Sequence, residues 1–226
     1  MSQISSECAK ETPKCRARVL LLAAAGLGAA SAGCVDPAAG REPPSGLPTV
    51  EHVSPGGAGA PQSLRAAVEQ IRSKRVEQSV NVAAFTCNGP FTITSQANGL
   101  LVSAELGYTG GDAGMLRARA SALGPREQYT LCFDDADGTF IIQSNANGLL
   151  VSAELGYTGG DAGMLRARAN AIGPWERFFI DNFGTFATIT SAANGLLVSA
   201  ELGYTGDDAG MLRARATAIG PWEQFQ

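Results

Sequence analysis

The chain has 226 residues with 17 lysines and arginines, 21 aspartates and glutamates and a single histidine, for a formal net charge of −4. Beyond Cys34 the acids outnumber the bases 19 to 13 and no lysine follows Lys74, a balance that argues against nucleic acid as a partner. The lone His52 falls in a Pro/Gly-rich stretch, so a Ser-His-Asp triad, a two-histidine metal site or a histidine general base has no residue to stand on in the remainder.

In chain order, Lys10, Lys14, Arg16 and Arg18 precede an apolar run from Val19 to Ala32. That run is too short to cross ~30 Å of hydrocarbon as a helix but suits the apolar segment of an export signal. It ends at Ser31-Ala32-Gly33-Cys34, which resembles the lipobox of bacterial lipoproteins, where the chain is cut before the cysteine and the sulfur carries the lipid. Ser31 departs from the leucine usual there. A cut after Ala30-Ser31-Ala32 would instead release a soluble product, and a cytosolic chain would leave Cys34 an idle thiol. The expectation is a signal peptide over 1–33, lipid attachment at Cys34 and an exported protein, membrane-anchored or secreted. The lipid would be its only link to a membrane.

Residues 34–62 hold Pro37, Pro43, Pro44, Pro48, Pro55 and Pro61 among Gly, Ala and Ser, the composition of a disordered tail that spaces a folded part from its anchor. Over 63–80, Leu64, Val68 and Ile71 recur at helical spacing with Arg65, Glu69, Arg72 and Lys74 mostly on the other face. This predicts one short helix and a connector, with the helix packed on the domain rather than holding a partner. Of the five cysteines, Cys87 and Cys132 sit in apolar strand-like runs. In an oxidising compartment they either pair as a disulfide or stay as small buried hydrophobes.

The rest of the chain is one unit written three times. NGLLVSAELGYTGGDAGMLRARA, from Asn98 to Ala120, recurs unchanged at 147–169 and again at 194–216 with Asp207 in place of Gly111. Each copy reads as four strands. Phe91 and Ile93, Phe140 and Ile142, and Ala187 and Ile189 mark the first. Asn98-Gly99 predicts a two-residue type I′ turn that sets Ser95 opposite Val102. Leu100, Val102 and Ala104 then share one face of the second strand, with Leu101, Ser103 and Glu105 on the other, and Leu116 and Ala118 face inward from the third. The fourth strand is Gln128 to Phe133, Arg177 to Ile180 or Glu223 to Gln226. Three copies are too few for a propeller and their period too long for a β-helix, and an open twelve-stranded sheet would leave bare edges. A closed threefold barrel over 81–226 follows.

The runs at 194–201 and 218–225, Asn-Gly-Leu-Leu-Val-Ser-Ala-Glu and Ala-Ile-Gly-Pro-Trp-Glu-x-Phe, resemble the signature of fascin-like β-trefoil domains. Bacterial single-domain members with Ala-Glu-Leu-Gly-Tyr and Met-Leu-Arg-Ala-Arg are the most similar. The resemblance covers about 90–226. It implies an all-β, twelve-stranded trefoil of barrel and cap, used for binding carbohydrate or protein. Actin bundling, which belongs to multi-domain members, is not carried over. Copy one has Arg126 where copies two and three have Trp175 and Trp222, and the twelfth strand is short. Val82 to Cys87 is therefore expected to lie beside the C-terminal strand and cover its edge.

The glycine-rich loop from Gly107 to Gly114 and its copies supply the candidate ligand-binding residues Tyr108, Asp112, Tyr157, Asp161, Tyr204 and Asp208. The tyrosine rings suit sugar C–H groups and the carboxylates suit hydroxyls, in up to three shallow sites. The competing reading makes the tyrosines loop anchors and the aspartates turn caps. Asp207 and Asp208 lack the ligand spacing of a calcium loop, so no metal or other cofactor is expected. Glu105, Glu154 and Glu201 could suggest a glycoside hydrolase. Near-identical settings oppose the division into acid and base, and pairing with Arg117 or Arg119 is the alternative. The tryptophans are expected to fill the bottom of the barrel. The expected protein is a noncatalytic, monomeric, lectin-like module for a polysaccharide, or a trefoil that binds a cell-surface protein.

Overall fold

The computed structural model describes residues 60–77 and 85–226. The expected signal peptide, most of the expected linker, Cys34 and the connector after the helix lie outside these residues. Twelve strands and one helix are present: β1 (Gln62–Ser63), α1 (Leu64–Glu77), β2 (Phe85–Thr92), β3 (Leu101–Glu105), β4 (Met115–Ala120), β5 (Tyr129–Asp134), β6 (Thr139–Ser144), β7 (Leu150–Glu154), β8 (Met164–Ala169), β9 (Phe178–Asn182), β10 (Ala187–Ser191), β11 (Leu197–Glu201) and β12 (Met211–Ala216).

The barrel closes by pairing of each copy's outer strands. β2 pairs with β5, β5 with β6, β6 with β9 and β9 with β10, all antiparallel. Residues 224–226 then complete the circuit: Phe225 bridges Ala187 on one side and Ser95 on the other, and Gln96 and Thr94 bond to Gln224 and Gln226 through backbone. The hairpins β3–β4, β7–β8 and β11–β12 form the cap. Their second strands meet in a triangle, with Met115 opposite Arg166, Met164 opposite Arg213 and Met211 opposite Arg117. This is a β-trefoil. Its core repeats by threes: Ile93, Ile142 and Ile189; Val102, Val151 and Val198; Leu116, Leu165 and Leu212, all essentially without solvent exposure. No copy buries these faces alone, so the hydrophobic gain arrives only when all three are in place.

Four expectations change in detail. The Asn-Gly turn spans four residues, not two: Ser95 N–H donates to Leu100 O and Gly99 N–H to Ser95 O, so Thr94 faces Leu101. The asparagine side chain explains the shift. Asn98 Oδ1 accepts from Leu100 N–H while its Nδ2 donates to Ala118 O on β4, contacts that Asn147 and Asn194 repeat and a two-residue turn does not make. Second, residues 85–88 pair with β5, not with the C-terminal segment; Cys87 stands directly opposite Cys132 and the two form a disulfide. Third, Trp175 and Trp222 are at the surface, and the level of the barrel they were expected to fill holds Tyr129, Phe178 and Phe225, three residues further along each copy. Fourth, Ser103 and Glu105 are buried although they lie on the face opposite Val102 and Ala104.

Helix α1 packs its Leu64, Ala67, Val68 and Ile71 face into the barrel core with no residual exposure. Its polar face is tied to the turns between outer strands: Arg65 donates to Asn182, Asn182 to Glu69, and Arg75 pairs with Asp135 while lying 4.1 Å over the Phe133 ring. The helix is thus part of the core. Ile71→Ala should lower unfolding free energy by about 2–5 kcal/mol in urea titration; a loss under ~0.5 kcal/mol would mean that the barrel is stable without it.

Candidate functional site

The glycine-rich loops 107–114, 156–163 and 203–210 join the strands of the three cap hairpins and come together around the threefold axis. Met115, Met164 and Met211 pack on one another there, and Tyr108, Tyr157 and Tyr204 pack against them. Each tyrosine hydroxyl accepts a hydrogen bond from an arginine of its own copy: Arg117 at 2.6 Å, Arg166 at 2.5 Å and Arg213 at 2.5 Å. The same guanidiniums reach into another copy. Arg117 donates to Gly206 O and Ala209 O, Arg166 to Gly110 O and Ala113 O, and Arg213 to Gly159 O and Ala162 O. Copy one therefore holds the loop of copy three, copy two that of copy one, and copy three that of copy two, in a closed ring.

Close backbone approach sets the end of each loop. Gly114, Gly163 and Gly210 have φ of +79°, +77° and +79°, a region that side chains rarely adopt. A Cβ on these glycines would stand 2.7–2.8 Å from the carbonyl oxygens of Ala167, Ala214 and Ala118. The same alanines donate N–H to the glycine carbonyls at 2.7–2.8 Å, so the loops are joined through backbone as well as arginine.

Asp112, Asp161 and Asp208 close the short 3-10 turns within these loops. Burial holds the Asp208 carboxyl above its ordinary value, and the charges of Asp161 and Asp112 push it further, partly offset by Arg117. The three carboxylates thus share one face, where the sequence suggests up to three separate sites. The one difference among the blocks is also used here: Tyr108 O–H donates to Asp207 Oδ1 at 3.3 Å, whereas Tyr157 O–H reaches only the Gly111 carbonyl at 3.4 Å. No group of three His, Cys, Asp or Glu among the described residues is placed to hold a metal ion.

The repeated glutamates have a different setting. Glu105, Glu154 and Glu201 are about 1% exposed, and each is gripped through both oxygens by Arg119, Arg168 and Arg215 respectively. The partner is the second arginine of Met-Leu-Arg-Ala-Arg in every copy; the first belongs to the loop ring. A bulge makes this geometry. Leu101 and Val102 face Ala120 and Ala118, which leaves Arg119 as the extra residue, and the other copies do the same. Both oxygens of each carboxylate are thus engaged by an arginine. Glu127, Glu176 and Glu223 fold back to accept the backbone N–H of Gly124, Gly173 and Gly220 at 2.7–2.8 Å, which braces each Gly-Pro-x-Glu turn. Burial raises the Glu176 carboxyl above its usual range. Sequence reasoning missed this brace, although Gly-Pro-x-Glu at equal spacing in all three copies signals it.

Arg168→Ala would leave Glu154 buried without its cation and should lower stability by roughly 3 kcal/mol in urea unfolding. Asp208→Asn should act oppositely. Because the folded-state pKa lies above the unfolded value near 3.8, the ionised carboxylate is the disfavoured form in the fold. The variant should therefore melt higher than the parent at pH 7, and that gain should vanish as the pH falls below about 3.8; an equal gain at pH 7 and pH 3 would contradict this.

No protein-family model matches the sequence, and no curated protein is similar to it. Among solved structures it is similar to the designed threefold-symmetric protein ThreeFoil, with a TM-score of 0.52 at 16% identity over 62% of this chain and 97% of that one. It is also similar to a mosquitocidal holotoxin, with a TM-score of 0.51 at 11% identity over 65% of this chain and 17% of that one. An exo-β-1,3-galactanase from Clostridium thermocellum gives 0.51 at 16% identity over 65% and 30%. The similarity thus spans nearly all of the designed protein but less than a third of either natural one, and at these identities it establishes the fold alone.

Proposed function

We propose that the protein is a noncatalytic, lectin-like module of the fascin-like kind, exported and tethered through Cys34, that binds a neutral polysaccharide on its threefold axial face. One observation carries this reading. Three nearly identical loops are locked by cross-copy arginines into a single surface of aspartate carboxylates and tyrosine edges. Such a face is preorganised, so a ligand would meet little ordering cost. The Arg117 guanidinium partly offsets the charge of Asp208, and the hydroxyl and carboxylate acceptors of the face suit a hydroxyl-rich neutral ligand. The Cys87–Cys132 disulfide supports an oxidising, exported setting.

A protein-interaction role is the second reading, favoured by the exposed Phe179 and by Phe183, which is 52% exposed and stacks on Phe186 at 5.0 Å. Chelation of Glu105, Glu154 and Glu201 by arginine weighs against the glycosidase reading. The test is retention on a panel of insoluble polysaccharides. The triple variant Asp112→Asn, Asp161→Asn, Asp208→Asn leaves the arginine ring intact and should weaken retention at least about tenfold. Retention equal to the parent would reject the axial site, and no retention by the parent would reject the carbohydrate reading. Incorporation of labelled palmitate that is lost in Cys34→Ser checks the anchor.

A further inference from the structure

The Gly-Pro-x-Glu turn occurs in all three copies with the same brace, but its third residue differs. Gly124, Gly173 and Gly220 each receive their glutamate at 2.7–2.8 Å, whether the residue between is Arg126, Trp175 or Trp222. The turn therefore forms without an indole. Nor does either indole serve the barrel, whose aromatic layer is Tyr129, Phe178 and Phe225. Trp222 is 37% exposed and Trp175 half-buried, and neither Nε1–H donates to another group among the described residues. Each ring rests its Cη2 edge over a glycine of the neighbouring loop: a Cβ on Gly156 or Gly203 would come within 3.4 Å of it. In copy one the equivalent Gly107 has nothing within 4 Å. The chain thus carries two aromatic platforms on rigid turns and one position where the same scaffold lacks the ring.

We propose that Trp175 and Trp222 are two saccharide subsites, each stacking the C–H face of a neutral sugar ring on its indole, with Nε1–H free to donate to a hydroxyl. This rests on the carbohydrate reading above and adds to it a pair of sites away from the axial aspartates. The surroundings suit a neutral sugar. Arg215, on the strand before the Trp222 turn, is already bound through both oxygens of Glu201, and Arg168 is bound likewise to Glu154. Neither arginine at the end of the strand leading into these turns is therefore a free positive charge for an anion. Two sites on one body would raise retention on a repeating polymer beyond that of either alone.

These are the only tryptophans in the chain, so their fluorescence reports directly on the proposed sites. The experiment uses the full chain and the polysaccharide from a panel of cellulose, chitin, xylan and β-1,3-galactan that retains it best, with soluble oligomers of that polymer for titration. The oligomer should shift tryptophan emission. The double variant Trp175→Arg, Trp222→Arg, which places in copies two and three the residue that copy one accommodates in the same turn, should bind at least about tenfold more weakly with an unchanged melting curve. Arg126→Trp should strengthen retention on the polymer by adding a third platform. If the parent is retained but its emission is unmoved and the double variant binds equally, the subsites are wrong while the carbohydrate reading stands. Should no polysaccharide retain the parent, both fall together.

Discussion

The trefoil depends on a guanidinium that serves two copies at once. Arg117, Arg166 and Arg213 are 5–7% exposed, yet no carboxylate bonds to them directly; each bonds a tyrosine hydroxyl of its own copy and carbonyls of another. A planar fork with several donors fits this task, because one side chain can satisfy backbone acceptors on two sides of a junction. Burying such a charge is costly unless its donors are met and opposite charge is near. The carbonyls meet the donors, and Asp208 lies within the field of Arg117. The three cap hairpins and the candidate face are therefore held together by the same three residues.

Much of this architecture is legible in the sequence. The triple repeat and the inward set of Ile, Val, Leu and Ala carry the threefold barrel, and the spacing of Leu64, Val68 and Ile71 carries the helix. What escapes a linear reading is whatever depends on which copy touches which. Tyr108 and Asp112 look like members of one local site, whereas the structure joins each tyrosine to an arginine that also grips another copy and gathers all three aspartates on one axis. Glu105 could pair with either arginine of its neighbouring strand. Only the bulge at Arg119, a register effect with no fixed sequence signal, decides between them. The tryptophans mislead because a large aromatic beside a strand is usually interior. Here the braced turn lifts them outward, and the next aromatic, Phe178 or Phe225, takes the interior place.

Copy one departs from its relatives in ways that have one origin. Its first strand is extended backward by 85–88, is covered by the helix and is cross-linked at Cys87 to β5. The other copies begin directly from the hairpin turns at Asp135–Gly138 and Phe183–Phe186. The junction between N-terminal and C-terminal segments is thus the one place where connectivity cannot help closure. The bridge through Phe225 and the backbone bonds of Thr94 and Gln96 to Gln226 and Gln224 close that seam, while the disulfide ties β2 to β5 within copy one.

The near-identity of the blocks has a consequence for how sequence order is encoded. The arginine latches recognise loop carbonyls that are common to all copies, so apart from the bond of Tyr108 to Asp207 the contacts do not distinguish a first block from a second or third. Succession is imposed by the segments between blocks, which differ in composition and length, and by the seam. The arginine ring is thus nearly indifferent to rank among the units, and the individuality of each copy resides mostly in its connectors.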